Sequence, residues 1–152
     1  PDVPKPDGRA VPRCRCGLAQ KQRYAERMSG PVLDRIDLFA AVIDLPSDST
    51  ERSDLSPAAL SDRVANTAGL LRNRLNGYLP GEWPATEIES WLKRNRIEPR
   101  SFAPRGLVMS LRSRHKVAAV AQTLAAWDGA DQPQSRHFEE AACLRPEALG
   151  FG

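Results

Sequence analysis

Hydrophobic residues recur at helical spacing through most of the second half of the chain. The most regular stretch begins after Ser56-Pro57 and ends at Asn76-Gly77, with apolar positions at Leu60, Val64, Ala68, Leu71 and Leu75. Serine followed by proline is typical of a helix N-terminus, and Asn-Gly is typical of a helix end. We therefore predict a long amphipathic helix between these two signals.

Three more helices are predicted after this one. Thr86 and Glu89 have the spacing of a capping box and predict the first of them. Ser110 and Ser135 are predicted to cap the other two. The apolar stripes of the three helices are Ile88, Trp91 and Leu92; Val117, Val120, Ala121, Leu124 and Trp127; and Phe138, Ala141, Ala142 and Leu144. Such stripes are usually core, so the tryptophans are expected to pack inside the domain rather than to stack on bases.

The first half has a different pattern. Residues 1–13 are expected to be irregular because they contain four prolines. Helix-forming residues favour a helix over 18–28, and the short apolar run 38–43 favours one buried strand. The polar stretch 46–55 has the composition of a linker. The predicted fold is therefore mainly α, with residues 1–45 and a four-helix domain over 56–152 on either side of the linker.

Composition limits the function only broadly. The chain has 152 residues and a formal net charge of +3, which is compatible with a nucleic-acid partner but is explained equally well by a solvated surface. It has no apolar run of about 18 residues, and thus no predicted membrane span. Its first residues resemble neither a signal peptide nor a natural start, which suggests a piece of a longer chain. The three cysteines form no even disulfide framework, as expected in a reducing cytoplasm.

The strongest candidate for chemistry is Arg35. Ser29-Gly30-Pro31 predicts a rigid turn, and the apolar residues Val32, Leu33 and Ile36 are expected to anchor a short helix while Arg35 points elsewhere. A guanidinium carries five donors in a planar fork and stays charged, so a presented arginine suits a phosphate group. The alternative is a surface ion pair with Asp34 or Asp37.

A second arginine and a cysteine pair are also candidates. Arg112 is expected in the first turn of a helix, off the apolar stripe and beside free backbone donors, where it can join a phosphate-binding surface. The alternative is an ordinary solvated arginine. Cys14 and Cys16 could share a metal, but a tetrahedral zinc site needs two further ligands and none is nearby. His115 and His137 are isolated in sequence and are expected to be surface residues.

The segment CRCGLAQKQRYAERMSGPVLDRIDL resembles the magnesium-chelatase-like AAA+ ATPases of the ComM (YifB) type. Ser110-x-Arg112, followed by Thr123-Leu124-Ala125 and Gly129, matches a second motif of that family. By this resemblance Arg35 is the arginine finger that acts in trans on the nucleotide of a neighbouring subunit, and Arg112 is the sensor 2 residue of the lid. The family also has a second cysteine pair upstream of the C-x-C pair.

The resemblance implies the end of a P-loop AAA+ core followed by a helical C-terminal lid. The complete protein would then be a cytoplasmic hexameric ring that uses ATP and Mg²⁺ to remodel DNA, as in branch migration during recombination or transformation. The present chain contains no G-x-x-x-x-G-K motif followed by Ser or Thr, so it is not expected to hydrolyse ATP alone.

Three alternatives stay open at this point. The chain could be a stand-alone basic helical module that binds nucleic acid, or an inactive fragment. It could also come from a magnesium chelatase subunit, although the motif there reads L-D-R-F-G rather than L-D-R-I-D.

Overall fold

The structure is a computed structural model that describes residues 3–4, 10–11, 16–25, 27, 30–33, 35–40, 56–103 and 109–145. In this part the chain is mainly helical. Two antiparallel strands of two residues, β1 (Val3–Pro4) and β2 (Ala10–Val11), pair near its beginning. The helices are α1 (Leu18–Ala25), α2 (Gly30–Leu33), α3 (Pro57–Arg74), α4 (Ala85–Arg94), α5 (Leu111–Trp127) and α6 (Ser135–Cys143), with a 3₁₀ helix at Pro99–Phe102.

Capping residues set the N-termini of the two long helices, α3 and α5, as predicted. The Ser56 hydroxyl accepts a hydrogen bond from the amide of Ala59 at 3.2 Å, and Pro57 occupies the first position of α3. The Ser110 hydroxyl accepts from the amide of Ser113 at 3.0 Å and caps α5 in the same way. Each cap satisfies an amide that has no partner within the helix.

Two other predicted caps are wrong. Helix α4 begins at Ala85, so Thr86 lies inside it, and Pro84 at the N-cap has no side-chain bond. Helix α6 is capped by Gln134 rather than Ser135, and the amide of Gln134 donates to Nδ1 of His137 at 2.9 Å. A histidine in the third position takes the place that glutamate has in the usual capping box.

Helix α5 lies at the centre of the helical domain and contributes to both of its hydrophobic clusters. One cluster consists of Leu71, Leu75, Trp83, Ile88, Leu92, Ala118 and Ala126. The other consists of Met109, Val117, Val120, Ala121, Phe138, Ala141 and Ala142. Trp91 packs against both clusters, with its ring centroid 5.6 Å from that of Trp83 and 6.4 Å from that of Phe138. Trp91 is thus a packing residue, as expected.

The buried face of α3 is rotated from the predicted one over its first half. Leu60 and Val64 were expected in the core but are 44% and 53% exposed. The face towards α5 instead carries Thr67, which is buried, and Arg63, which is half-buried. The Arg63 guanidinium lies 4.1 Å from the Trp127 ring centroid. The stem and planar head of an arginine can cover an aromatic ring, so a charged residue replaces an aliphatic one here.

The predictions for the first half of the chain agree less well with the structure. The leader was expected to be irregular, yet it contains the β1 and β2 pair, which proline permits in a short edge strand. Residues 38–40 form no strand, and Leu38 is 54% exposed. The rest of that expected strand, 41–43, and the linker 46–55 lie outside the described residues.

The close packing of α5 can be tested by enlarging one small residue. Ala121 is fully buried, so Ala121→Leu should lower the free energy of unfolding by about 1–3 kcal/mol in urea denaturation followed by circular dichroism. Ala65→Leu adds the same side chain at an exposed position of α3 and should change it by less than about 0.5 kcal/mol. Equal effects of the two substitutions would contradict this packing.

Candidate functional site

Arg35 follows the single turn of α2 and is exposed. Its Nη1 donates to the carbonyl oxygen of Pro31 at 2.9 Å. Among the described residues no carboxylate lies within ion-pair distance of its guanidinium, and Asp37 forms its ion pair with Lys116 instead. The expected anchoring is only partly observed: Leu33 is buried, but Val32 and Ile36 are 48% and 37% exposed.

The backbone around Arg35 is docked onto the helical domain by polar groups. Lys116 donates from Nζ to the carbonyl oxygen of Arg35 at 3.2 Å and pairs with the Asp37 carboxylate. The amide of Phe39 donates to the carbonyl oxygen of Leu144 at 2.8 Å. The segment 35–40, called the Arg35 segment below, is therefore held against α5 and the end of α6.

Arg145 supplies the most deeply buried of these contacts. Its Nη1 donates to the carbonyl oxygens of Ile36 at 2.6 Å and Asp37 at 3.3 Å, and its Nη2 donates to the Ser113 hydroxyl at 3.3 Å. Both Arg145 and Ser113 are 0% exposed. Sequence reasoning missed Arg145, because nothing in its surroundings marks an arginine beside a proline as buried.

Arg112 lies in the first turn of α5 and is exposed, as predicted. Its side chain lines an open recess of about 330 Å³. The other walls of the recess are formed by the turn before α4, the start of α4, the Arg35 segment and α5; they include Asp37, Trp83, Ile88, His115 and Lys116. The recess therefore lies where the Arg35 segment meets the helical domain.

Of the cationic side chains near the start of α5, Arg112 differs from its neighbours. Arg114 pairs with Glu98 at 3.5 Å, and Lys116 pairs with Asp37. Nε2 of His115 lies 2.6 Å from a carboxylate oxygen of Glu89. Within the described ranges no hydrogen bond or ion pair occupies the guanidinium of Arg112. Its charge and donors thus remain directed to solvent at the recess.

The prediction that both histidines are surface residues is wrong for His137 and only partly right for His115. His137 is 1% exposed, with Nε2 at 3.3 Å from a carboxylate oxygen of Asp128. His115 is partly buried, with 14% of its side chain exposed. His137 bonds to the start of α6 and to the residue after α5, and His115 joins α5 to α4. These contacts indicate a structural role for both rings.

The described residues do not offer a metal site. Cys16 is exposed, and Cys14 lies outside the described residues. No group of three or more histidine, cysteine, aspartate or glutamate side chains converges on one point in the part of the chain that the structure describes. A tetrahedral zinc site needs four ligands, so these residues do not fit zinc. None of the described helices combines the length and the apolar character needed to cross a membrane.

Comparison with known proteins matches the sequence of this chain to a family. Residues 5–50, which include the Arg35 segment, match the model described as "Magnesium chelatase, subunit ChlI". YifB of Escherichia coli is 31% identical, over 86% of this chain and 27% of that protein. Competence protein ComM of Haemophilus influenzae is 32% identical, over 83% of this chain and 26% of that protein.

A mycobacterial relative gives the same result. Rv2897c of Mycobacterium tuberculosis is 32% identical, over 79% of this chain and 25% of that protein. The chain thus spans about a quarter of the length of the curated relatives that it matches. No solved structure matches it. These matches show that the chain belongs to the magnesium-chelatase-like family that includes YifB and ComM.

Proposed function

We propose that this chain contributes two phosphate-binding arginines to a ComM-like AAA+ ATPase. Arg35 acts as the arginine finger towards the nucleotide of a neighbouring identical subunit, and Arg112 acts as sensor 2 towards the nucleotide of its own subunit. The observation that carries the proposal is the exposure of the two side chains and the lack of a carboxylate partner among the described residues. Both are exposed, and neither is engaged by a described carboxylate, whereas Arg114 and Lys116 are each paired.

The chemistry of the two sites fits a bound ATP. When bound, ATP with Mg²⁺ supplies a chain of phosphates whose negative charge increases at the reacting group during hydrolysis. Arg35 has a planar head that can meet two phosphate oxygens at once. Lys116 bonds to the carbonyl oxygen of Arg35 and Arg145 bonds to that of the next residue, Ile36. Little order therefore has to be gained when the guanidinium meets the neighbouring subunit.

Arg112 would act differently, because it lies on the helix that organises the lid. Its recess is open to solvent and is lined on one side by the Arg35 segment. A phosphate in this recess would meet the guanidinium of Arg112 in the first turn of α5. We therefore assign Arg112 to binding and lid closure, and Arg35 to the chemical step.

The wider setting is proposed from the family resemblance. The complete protein would assemble into a cytoplasmic ring, with six subunits as the expected number, and would couple hydrolysis to DNA remodelling in recombination or transformation. The net charge of +3 is compatible with DNA as a partner. Hydrolysis requires a P-loop, which this chain does not contain, so the chain alone should show no ATPase activity.

Loss of the finger should affect the rate far more than binding. In the complete protein Arg35→Ala should lower kcat by about three orders of magnitude and leave ATP affinity nearly unchanged, since the charge it meets develops mainly during the reaction. Steady-state hydrolysis and equilibrium nucleotide binding measure the two effects. Arg27→Ala, at an exposed position before α2, is the matched control. A kcat within about threefold of the unaltered enzyme would contradict the assignment.

The phosphate preference of Arg112 can be tested on the 152-residue chain itself. Inorganic tripolyphosphate should bind weakly at low salt, and Arg112→Ala should weaken binding by about tenfold, the loss expected for one bond to a charged group. Arg114→Ala removes a guanidinium from the same helix, but one that is already paired with Glu98, and should have a smaller effect. Titration followed by NMR measures both. Equal losses would indicate a diffuse charge effect and would contradict a site at Arg112.

A further inference from the structure

Arg145 differs in its surroundings from the other arginines whose contacts the structure describes. It lies just after α6, is 0% exposed, and contacts two separate parts of the chain at once. One part is the backbone of the Arg35 segment, through Ile36 and Asp37; the other is Ser113 on α5. A buried guanidinium with these acceptors holds two elements at a fixed separation.

We propose that Arg145 is a positioning residue that fixes the Arg35 segment to α5, so that the segment moves as one unit with the helix that carries Arg112. The contact itself is independent of the proposed function. Its consequence for catalysis rests on the proposed function, because it requires Arg35 and Arg112 to act on nucleotides. A displacement of α5 at one subunit's own nucleotide would then shift Arg35 at the neighbouring site.

The arrangement of acceptors supports a link rather than simple packing. Arg112, Ser113 and Lys116 lie within the first two turns of α5. Arg112 lines the recess, Ser113 accepts from Arg145, and Lys116 bonds to the carbonyl of Arg35 and to Asp37. Three neighbouring positions of one rigid helix thus connect the recess to the backbone of Arg35. Because a helix transmits displacement along its length, these positions move together.

Other arginines of the domain provide a contrast. Arg63 donates to the carbonyl oxygen of Trp127 at 3.0 Å, and Arg74 donates to that of Ala130. Both bonds join α3 to α5 or to the turn after it, within the helical domain. Arg63 is therefore a matched control: it is an arginine that joins two elements through a backbone carbonyl without touching the Arg35 segment.

Hydrogen exchange of the 152-residue chain, followed by NMR, tests the link without any nucleotide. The amide of Phe39 reports on docking, since it donates to Leu144, and the amide of Ala121 reports on the core of α5. Arg145→Met should accelerate exchange at Phe39 by at least about tenfold and change exchange at Ala121 by less than about threefold. Arg63→Met should leave Phe39 unchanged.

Two further variants keep the test decisive if Arg145→Met does not fold. Arg145→Lys retains one donor group and should give a smaller acceleration at Phe39. Lys116→Met removes the second polar contact and should also release Phe39 selectively. Unchanged exchange at Phe39 in the folded variants would overturn the proposal. Equal acceleration at Phe39 and Ala121 would also overturn it, because Arg145 would then only stabilise the helical domain.

A kinetic readout in the complete protein separates this inference from the proposed function. Arg145→Lys should lower kcat by about tenfold or more with KM for ATP nearly unchanged, since the P-loop contacts of ATP are untouched. Selective release of Phe39 with an unaltered kcat would retain the docking and overturn its link to catalysis. An unaltered kcat in Arg35→Ala would reject the finger assignment and leave the exchange result standing.

Discussion

The buried guanidinium of Arg145 is the constraint on which the arrangement of the site depends. A charged group that is removed from water is costly unless strong hydrogen bonds replace its hydration. Here the acceptors among the described residues include the carbonyl oxygens of Ile36 and Asp37 and the hydroxyl of Ser113. These acceptors come from distant parts of the chain, so the hydrogen bonds of Nη1 and Nη2 join the Arg35 segment to the helical domain.

This constraint suits the two arginines that we propose to bind phosphate, Arg35 and Arg112, to different roles. Arg35 is exposed on a segment whose backbone is hydrogen-bonded to Lys116 and Arg145. Arg112 lies at the edge of an open recess. A fixed backbone suits a group that must meet a charge in another subunit during reaction. A position on the helix at the centre of the helical domain suits a group that responds to nucleotide binding. The family membership and the geometry are thus consistent with one chain serving two nucleotide sites.

The sequence was sufficient for features that depend on neighbouring residues. The caps at Ser56 and Ser110 and the family motif around Arg35 are encoded within a few positions, and the first two were confirmed. The role of Arg145 could not be predicted, because its acceptors at 36–37 lie more than a hundred residues away. The buried face of α3 was misassigned for the same reason: Arg63 faces Trp127, so its partner lies on another helix.

We propose that Arg35 and Arg112 of one chain act on two different nucleotides. Mixing complete proteins that carry Arg35→Ala and Arg112→Ala tests it most directly. In a mixed ring some interfaces combine an intact Arg35 from one subunit with an intact Arg112 from its neighbour. We expect partial recovery of ATPase activity, with a maximum at intermediate mixing ratios. No recovery at any ratio, with ring assembly and subunit exchange verified, would contradict action of Arg35 in trans.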